Sequence, residues 1–320
     1  MFAVFLASAI AIGVVFLYGC VGEIITEKAG QLNLGIPGIM CVGTAGGCWG
    51  VSLYMSGNYE HPNGVVLMLA LIIFACLFSV AAGLIYAVIT VLLKGNQNVT
   101  GLALTIFGNG FAQFFMDNFV DRTYFSKASV LIKTSLPFAK NLGWFGQIFL
   151  SHGFLVYFAI AIAITVAVIL KKTRIGLNLR AVGENPATAD AAGLNVTAYK
   201  VCAVMIGSAI AGLGGAFYIM DYIGGSWQNA ATIEAMGWLA IALVIFTLWK
   251  PDLSILGSIL FGALFIASNY ISGVSFSQMK LLKLLPYVVT VVVLIVLSVI
   301  ESKDNQPPAS LGLNYFREDR

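Results

Sequence analysis

Charge is scarce in this chain: of 320 residues 10% are Asp, Glu, Lys or Arg and 59% are hydrophobic, where soluble domains run to about 25% charged. A soluble globular protein is excluded, and no nucleic-acid partner is expected. The five cysteines, Cys20, Cys41, Cys48, Cys76 and Cys202, fall singly inside apolar stretches. Without paired spacing they read as small hydrophobes rather than disulfides or metal ligands, so no metal site is expected. The two histidines, His61 and His152, flank apolar runs and read as boundary residues. No G-x-x-x-x-G-K-[ST] loop occurs, so the chain has no recognisable nucleotide-hydrolysing site of its own. A nucleophile-and-base constellation is also missing, which makes a membrane-bound enzyme the weakest class. The first charged side chain is Glu23, so Phe2 to Val21 reads as a retained span rather than a cleaved leader.

What the chain has is long apolar runs. About 20 apolar residues cross ~30 Å of hydrocarbon, and on that rule nine spans are expected: 2–21, 34–56, 65–93, 99–117, 153–170, 199–222, 235–249, 253–271 and 284–300. The seventh is short by that measure. The fold class is an all-α membrane protein, a polytopic bundle of about nine transmembrane helices. Placing 171–200 in the cytoplasm puts eleven Lys and Arg on the inward segments against six outside, which favours an external amino terminus and an internal carboxyl terminus. The membrane domain is expected over 1–302, with a cytoplasmic loop at 171–198 and a flexible cytoplasmic tail at 303–320.

Several segments depart from plain spans. Gly30, Gly35, Pro37 and Gly38 should break a helix where the second span begins, and freed backbone groups must then face protein or a wet cavity. A sharp loop ahead of an ordinary span explains them equally well. On the fourth span Asn109, Gln113 and Asp117 stand at i, i+4 and i+8 and share one face, with Thr105 continuing it. Interhelical glue and a pathway lining are both open for them. The external stretch 118–151, with Leu136, Pro137, Phe138 and Trp144, reads as an amphipathic segment in the interface or as a docking surface. The sixth span carries Gly207, Ser208, Ala211, Gly212, Gly214 and Gly215, small residues at spacings that let helices approach closely. The lead-in Gly224 to Ala230 resembles that of the second span in composition, a weak sign of an internal repeat. Glu23, Asp117, Asp221 and Glu234 fall at expected span ends, which weighs against a proton relay.

The most polar stretch is KKTRIGLNLRAVGENPATADAAGLNVTAYK, 171–200. Within it Asn185 suits an N-cap, Pro186 the first helical position, and Gly193 a left-handed C-terminal close. A helix of about two turns is too short to be stable alone, so a partner surface is expected to hold it.

These motifs, EKAGQLNLGIPGIM, VTGLALTIFGNG, RIGLNLRAVGENPATADAAGLNV and IEAMGWLAIALVIFTLWKP, resemble the permease subunits of bacterial ABC importers for nucleosides, simple sugars and branched-chain amino acids. The lead-in at Glu27 to Gly38 is most similar to the nucleoside branch. Ribose-type relatives have an acidic residue and a serine where this chain has Asn33 and Gly35. The resemblance implies a multi-pass subunit of the bacterial cytoplasmic (inner) membrane that pairs with a second permease, homologous or identical. ATP and Mg would be bound by a separate cytoplasmic ATPase, and an external binding protein or lipoprotein would deliver the small-molecule cargo. Gly183, Glu184, Asn185, Pro186, Ala187, Asp190 and Gly193 would then belong to the coupling helix seated on that ATPase. Asn33, Asn109 and Gln113 are the expected cargo-binding residues, since neutral amides satisfy hydroxyls and bases without a buried charge. Sugar or amino-acid cargo, and an ion-gradient-driven transporter, are the alternatives.

Overall fold

The computed structural model describes residues 2–134, 142–271, 273, 275–300 and 306–316, and helices are the only regular element among them. In chain order these are α1 (Phe2–Lys28), α2 (Ile36–Asn58), α3 (Gly64–Ala87), α4 (Gln97–Asn118), α5 (Phe125–Ile132), α6 (Gly143–Phe149) and α7 (Phe154–Lys172). They continue with α8 (Arg174–Glu184), α9 (Pro186–Ala191), α10 (Val196–Phe217), α11 (Ala230–Phe246), α12 (Pro251–Ile266), α13 (Phe276–Leu282) and α14 (Leu285–Ile300). Single π-helical turns, Val88–Leu92 and Tyr218–Tyr222, lengthen α3 and α10.

Asparagine sets many of the helix starts. Asn63, Asn96, Asn195 and Asn229 each accept a first-turn N–H of α3, α4, α10 and α11, at 2.9 to 3.0 Å. Each cap satisfies a backbone donor that has no partner within its own helix.

At the centre is α1, which packs along α10 and α12 and meets α11, while α2 fills the space between α3, α4 and α10. The small residues of α10 do what their spacing predicts. Gly207 lies against the Gly22 carbonyl and Thr26, and Gly212 against Gly43 and Ser79; a β-carbon at either would overlap those atoms. Close backbone approach replaces the hydrophobic driving force that is missing between helices in lipid.

Among the described residues eight helical segments are long and apolar enough to cross a membrane, counting α3, α10 and α12 with the short turns that extend them and α13 together with α14, and α11, at 17 residues, is a further, shorter apolar helix. Its two ends nonetheless reach opposite ends of the bundle. The Ala230 N–H meets Gln113 near one end of the bundle, while Trp249, just past its other end, donates through Nε1 to Glu27 near the last turn of α1. Seventeen residues of helix rise about 25 Å, enough when both ends are buried in protein. This helix starts at Ala230 rather than near 235, which moves Glu234 from an expected span end to one turn inside the helix.

Three further expectations are corrected. The second helix is not broken: α2 is continuous from Ile36, with Pro37 in its first turn where a missing N–H costs nothing. The interruption lies ahead of it, in the buried turn 29–35, where Gly30 takes φ +80°. Glu23 is likewise inside α1, fully buried, whereas Asp221 stays at the end of its span, buried in the π-turn after α10. The tail is not loose, because residues 306–316 fold back onto the turn before α4 and onto α8 and α9.

The stretch 118–151 contains the amphipathic α5, which buries Phe125, Ala128, Ser129 and Ile132, and α6, on which Trp144 is exposed. Leu136, Pro137 and Phe138 lie outside the described residues. His152 is buried beside α7, and its Nε2 donates to the Ile148 carbonyl at 2.8 Å. The five cysteines are free thiols.

Candidate functional site

Two polar constellations stand out from the apolar bundle. The first runs along the seam of α4 and α11. Asn109, on the α4 face, donates through Nδ2 to Glu234 Oε2, and Glu234 Oε1 accepts from Trp238 Nε1 at 3.4 Å, one turn further along α11. Gln113 uses both ends of its amide: Nε2 donates to Asp117 Oδ2 at 2.6 Å, and Oε1 accepts the Ala230 N–H at 3.1 Å. The row ends in an Asp117–Arg122 ion pair at 3.3 Å. Asn109, Gln113 and Glu234 are all partly exposed. A partly exposed carboxylate on a membrane-spanning helix is costly to keep unless it lines a wet path or binds something.

Asn33 does not join them. It is fully buried in the turn before α2, where its Oδ1 accepts the Gly35 N–H at 3.0 Å and its main-chain N–H donates to Glu23 Oε1 at 3.0 Å. Its side-chain amide nitrogen has no hydrogen-bond partner among the described residues. The same turn is held by Leu32 N–H on Gln97 and by Thr105 Oγ1 on the Leu34 carbonyl, each at 2.8 Å. Asn33 therefore serves the turn, and the amide row on α4 stands without it.

The second constellation lies at the end of the molecule that carries α8 and α9. Asn185 caps α9, its Oδ1 accepting the Thr188 N–H at 3.0 Å, Pro186 takes the first position, and Gly193 closes the helix at φ +84°. The predicted residues separate into two groups. Gly183 and Asp190 face inward: Gly183 packs on the main chain of Lys28 and accepts the Ser310 N–H at 3.1 Å, and Asp190 Oδ2 accepts from Tyr315 at 2.8 Å. Glu184, Asn185 and Gly193 are exposed, with Thr188, Ala191 and Ala192 beside them, while Pro186 and Ala187 are half-buried. Val182, Ala189 and Val196 pack with Leu194, Tyr199 and Tyr315 in a small apolar cluster beneath. The surface that holds this under-length helix thus comes partly from the chain's own tail. Lys171 ties the loop to α12 through a 2.8 Å bridge to Asp252.

Residues 5–297 match the family described as branched-chain amino acid transport system / permease component. The chain belongs to that family. Among its relatives, the nucleoside ABC transporter permease protein NupC of Lactococcus lactis subsp. cremoris is 30% identical over 84% of each chain. The guanosine ABC transporter permease protein NupQ of Bacillus subtilis is 29% identical, over 75% of this chain and 73% of its own. TsgC13 of Haloferax volcanii, which carries a glucose ABC transporter permease name, is 33% identical over 78% of this chain and 72% of its own.

The chain is accordingly a multi-pass permease component, a transport subunit rather than a complete machine. Among the described residues no group of His, Cys, Asp and Glu is arranged to hold a metal ion. Glu234, expected at a span end, and Trp238 were not among the cargo-binding residues expected of this permease from its sequence. Their i, i+4 spacing in IEAMGW was the available signal, but a span drawn from 235 left Glu234 outside the helix.

Proposed function

We propose that this permease moves nucleosides inward across the cytoplasmic membrane. A second, homologous permease would complete the path, a separate cytoplasmic subunit would hydrolyse MgATP, and an external binding protein would deliver cargo. The observation that carries the nucleoside reading is the likeness to NupC over 84% of both chains. The polar seam supports it, because the Asn109 and Gln113 amides and the Glu234 carboxylate offer acceptors for sugar hydroxyls and donors for a base.

On this reading 171–198 is the coupling loop, and the exposed residues Glu184, Asn185, Thr188, Ala191 and Gly193 are what the ATPase touches. Gly183, Pro186, Ala187 and Asp190 hold the loop in shape beneath that contact. ATP binding closes the partner, the loop moves with it, and the two permease halves rock between outward and inward openings.

A sugar cargo is the second reading. TsgC13 favours it, and hydroxyl acceptors serve a pyranose as readily as a ribose. Branched-chain amino acids fit less well, because Glu234 would repel the cargo carboxylate.

Uptake of labelled guanosine, uridine, glucose and leucine into cells that overproduce this permease, compared with cells from which it is deleted, tests the proposal. Guanosine or uridine uptake that collapses on ATP depletion and survives an uncoupler is the expected result. Uptake that follows the uncoupler would point to a gradient-driven carrier, and glucose uptake alone would replace the cargo.

A further inference from the structure

A cavity of about 620 Å³ opens beside α9, next to the tail and away from the α4–α11 seam. Lys94, Asp190, Asn195, Val196, Thr197 and Tyr315 line it. Its floor is the start of α10, where Asn195 takes the Ala198 N–H at 3.0 Å. The Val196 and Thr197 N–H groups precede the first intrahelical acceptor and share the positive end of the helix dipole. Such an arrangement suits an anion, though a helix start alone does not make a site.

The second observation is Lys200. It stands one turn into α10, on the same side as Val196, and is only 3% exposed. Among the described residues it has no hydrogen bond and no ion pair, and the charge acting on it is Lys94, of like sign. Helical side chains lean back toward the start of their helix, so the Lys200 stem runs beneath Val196, one of the residues of the cavity floor. Lys94 is held at φ +56° with its carbonyl accepting Asn314 Nδ2 at 2.7 Å, so the tail fixes the backbone that carries the second ammonium. Asp190 is the acid in the lining, and its Oδ2 is already engaged by the Tyr315 hydroxyl. A lysine as buried as Lys200 is disfavoured without a counter-charge, and the half-exposed Lys94 brings a second positive charge to the cavity at the same helix start.

We infer that Lys94, Lys200 and the first turn of α10 form a binding site for a phosphate-bearing anion. The phosphate could belong to an anionic lipid headgroup or to a soluble phosphate ester. The fold offers a route for either. Leu92 and Leu93, just before Lys94, are 53% and 72% exposed and would meet acyl chains, in keeping with basic pockets that hold lipid headgroups at membrane surfaces. The open side of the cavity beside α9 would admit a soluble ester. This inference is independent of the cargo proposal.

The test uses the full chain, purified and delipidated in mild detergent. Native mass spectrometry and thermal melting are followed with phosphatidylglycerol, with phosphatidylcholine as the zwitterionic control, and with inorganic phosphate and AMP. One phosphate-bearing probe should bind one to one and raise the melting temperature by several degrees. Lys94→Gln and Lys200→Met should each weaken that binding at least tenfold, whereas Lys133→Gln, at the other end of the bundle, should not. Response to phosphatidylglycerol assigns a headgroup; response to phosphate or AMP assigns a soluble ester. Without any probe, Lys200→Met should melt no lower than wild type, since it removes an unpaired charge and keeps an apolar stem. Equal binding by wild type and both variants, equal binding of phosphatidylcholine, or no binding of any probe overturns the site. So does a probe-free Lys200→Met that melts far below wild type, which would reveal a protein partner for that ammonium.

Discussion

Gly183 rests on the main chain of Lys28 so closely that a β-carbon on Gly183 would overlap the Lys28 carbonyl oxygen. The loop that carries α9 is thereby welded to the end of α1, the central helix, and α1 in turn carries the turn that leads into α2. A push on α9 would reach the core of the bundle through backbone rather than through mobile side chains.

That contact makes Gly183 a packing residue. Gly183→Ala is expected to lower stability by about 1–3 kcal/mol, the usual cost of overfilling a tight contact, and Gly183→Asp to leave little folded protein. Melting in detergent reads both.

Coupling is better tested on the exposed side of the same loop. Thr188→Arg and Ala191→Arg should leave the melting temperature within a degree or two of wild type while cutting ATP-dependent uptake at least tenfold. Undiminished uptake in both would remove the loop from the coupling proposal.

Much of this was legible in the residues, and the misses have physical causes. The eight long apolar segments among the described residues follow from apolar run length, and the cap, first position and close of α9 follow from Asn185, Pro186 and Gly193, because local backbone preferences decide them. Asn33 could not be placed from sequence: whether an amide in a glycine-rich turn faces a path or bonds its own backbone depends on Glu23, ten residues away, and on Gly35. Glu234 was misplaced because hydropathy locates the apolar stretch of a helix, whereas Asn229 sets where the helix begins. The tail was misread because proline and charge suggest disorder, while Ser310, Asn314 and Tyr315 each find a specific partner that composition cannot reveal.

The α4–α11 seam predicts a split between binding and turnover. Glu234→Gln keeps the shape and removes the charge, so the melting temperature should stay close to wild type. If Glu234 accepts cargo hydroxyls, apparent KM for a nucleoside should rise about tenfold, since hydrogen bonds to charged groups are worth about 1.5–3 kcal/mol and a tenfold change is about 1.4 kcal/mol. Asn109→Leu should behave similarly. Unchanged KM in both variants would make the pair interhelical glue and nothing more.

The tail should act as a brace for the loop. Tyr315→Phe removes the hydrogen bond to Asp190 and should cost about 1 kcal/mol, given the partial exposure of the pair. Truncation after Ser302 would also uncover Val182, Ala189 and Val196 and should make 185–195 the preferred site of limited proteolysis. Identical digestion of the truncated and full chains would show that the loop holds itself.

His152 gives the pH prediction. It is buried just before α7, and that burial, reinforced by the nearby charge of Lys133, holds its imidazole below the ordinary histidine value of about 6.5. The hydrogen bond from Nε2 to the Ile148 carbonyl opposes the shift without reversing it. Between the folded and unfolded values the unfolded chain binds more protons, so stability rises with pH through that window. The contribution of His152 is therefore complete above about pH 6.5 and is lost as pH falls through the folded value. Melting temperature in detergent should decline from pH 7.5 to pH 5, and His152→Gln, which keeps a donor for the Ile148 carbonyl but cannot titrate, should flatten that decline. An equal slope in the variant would assign the acid sensitivity to another group.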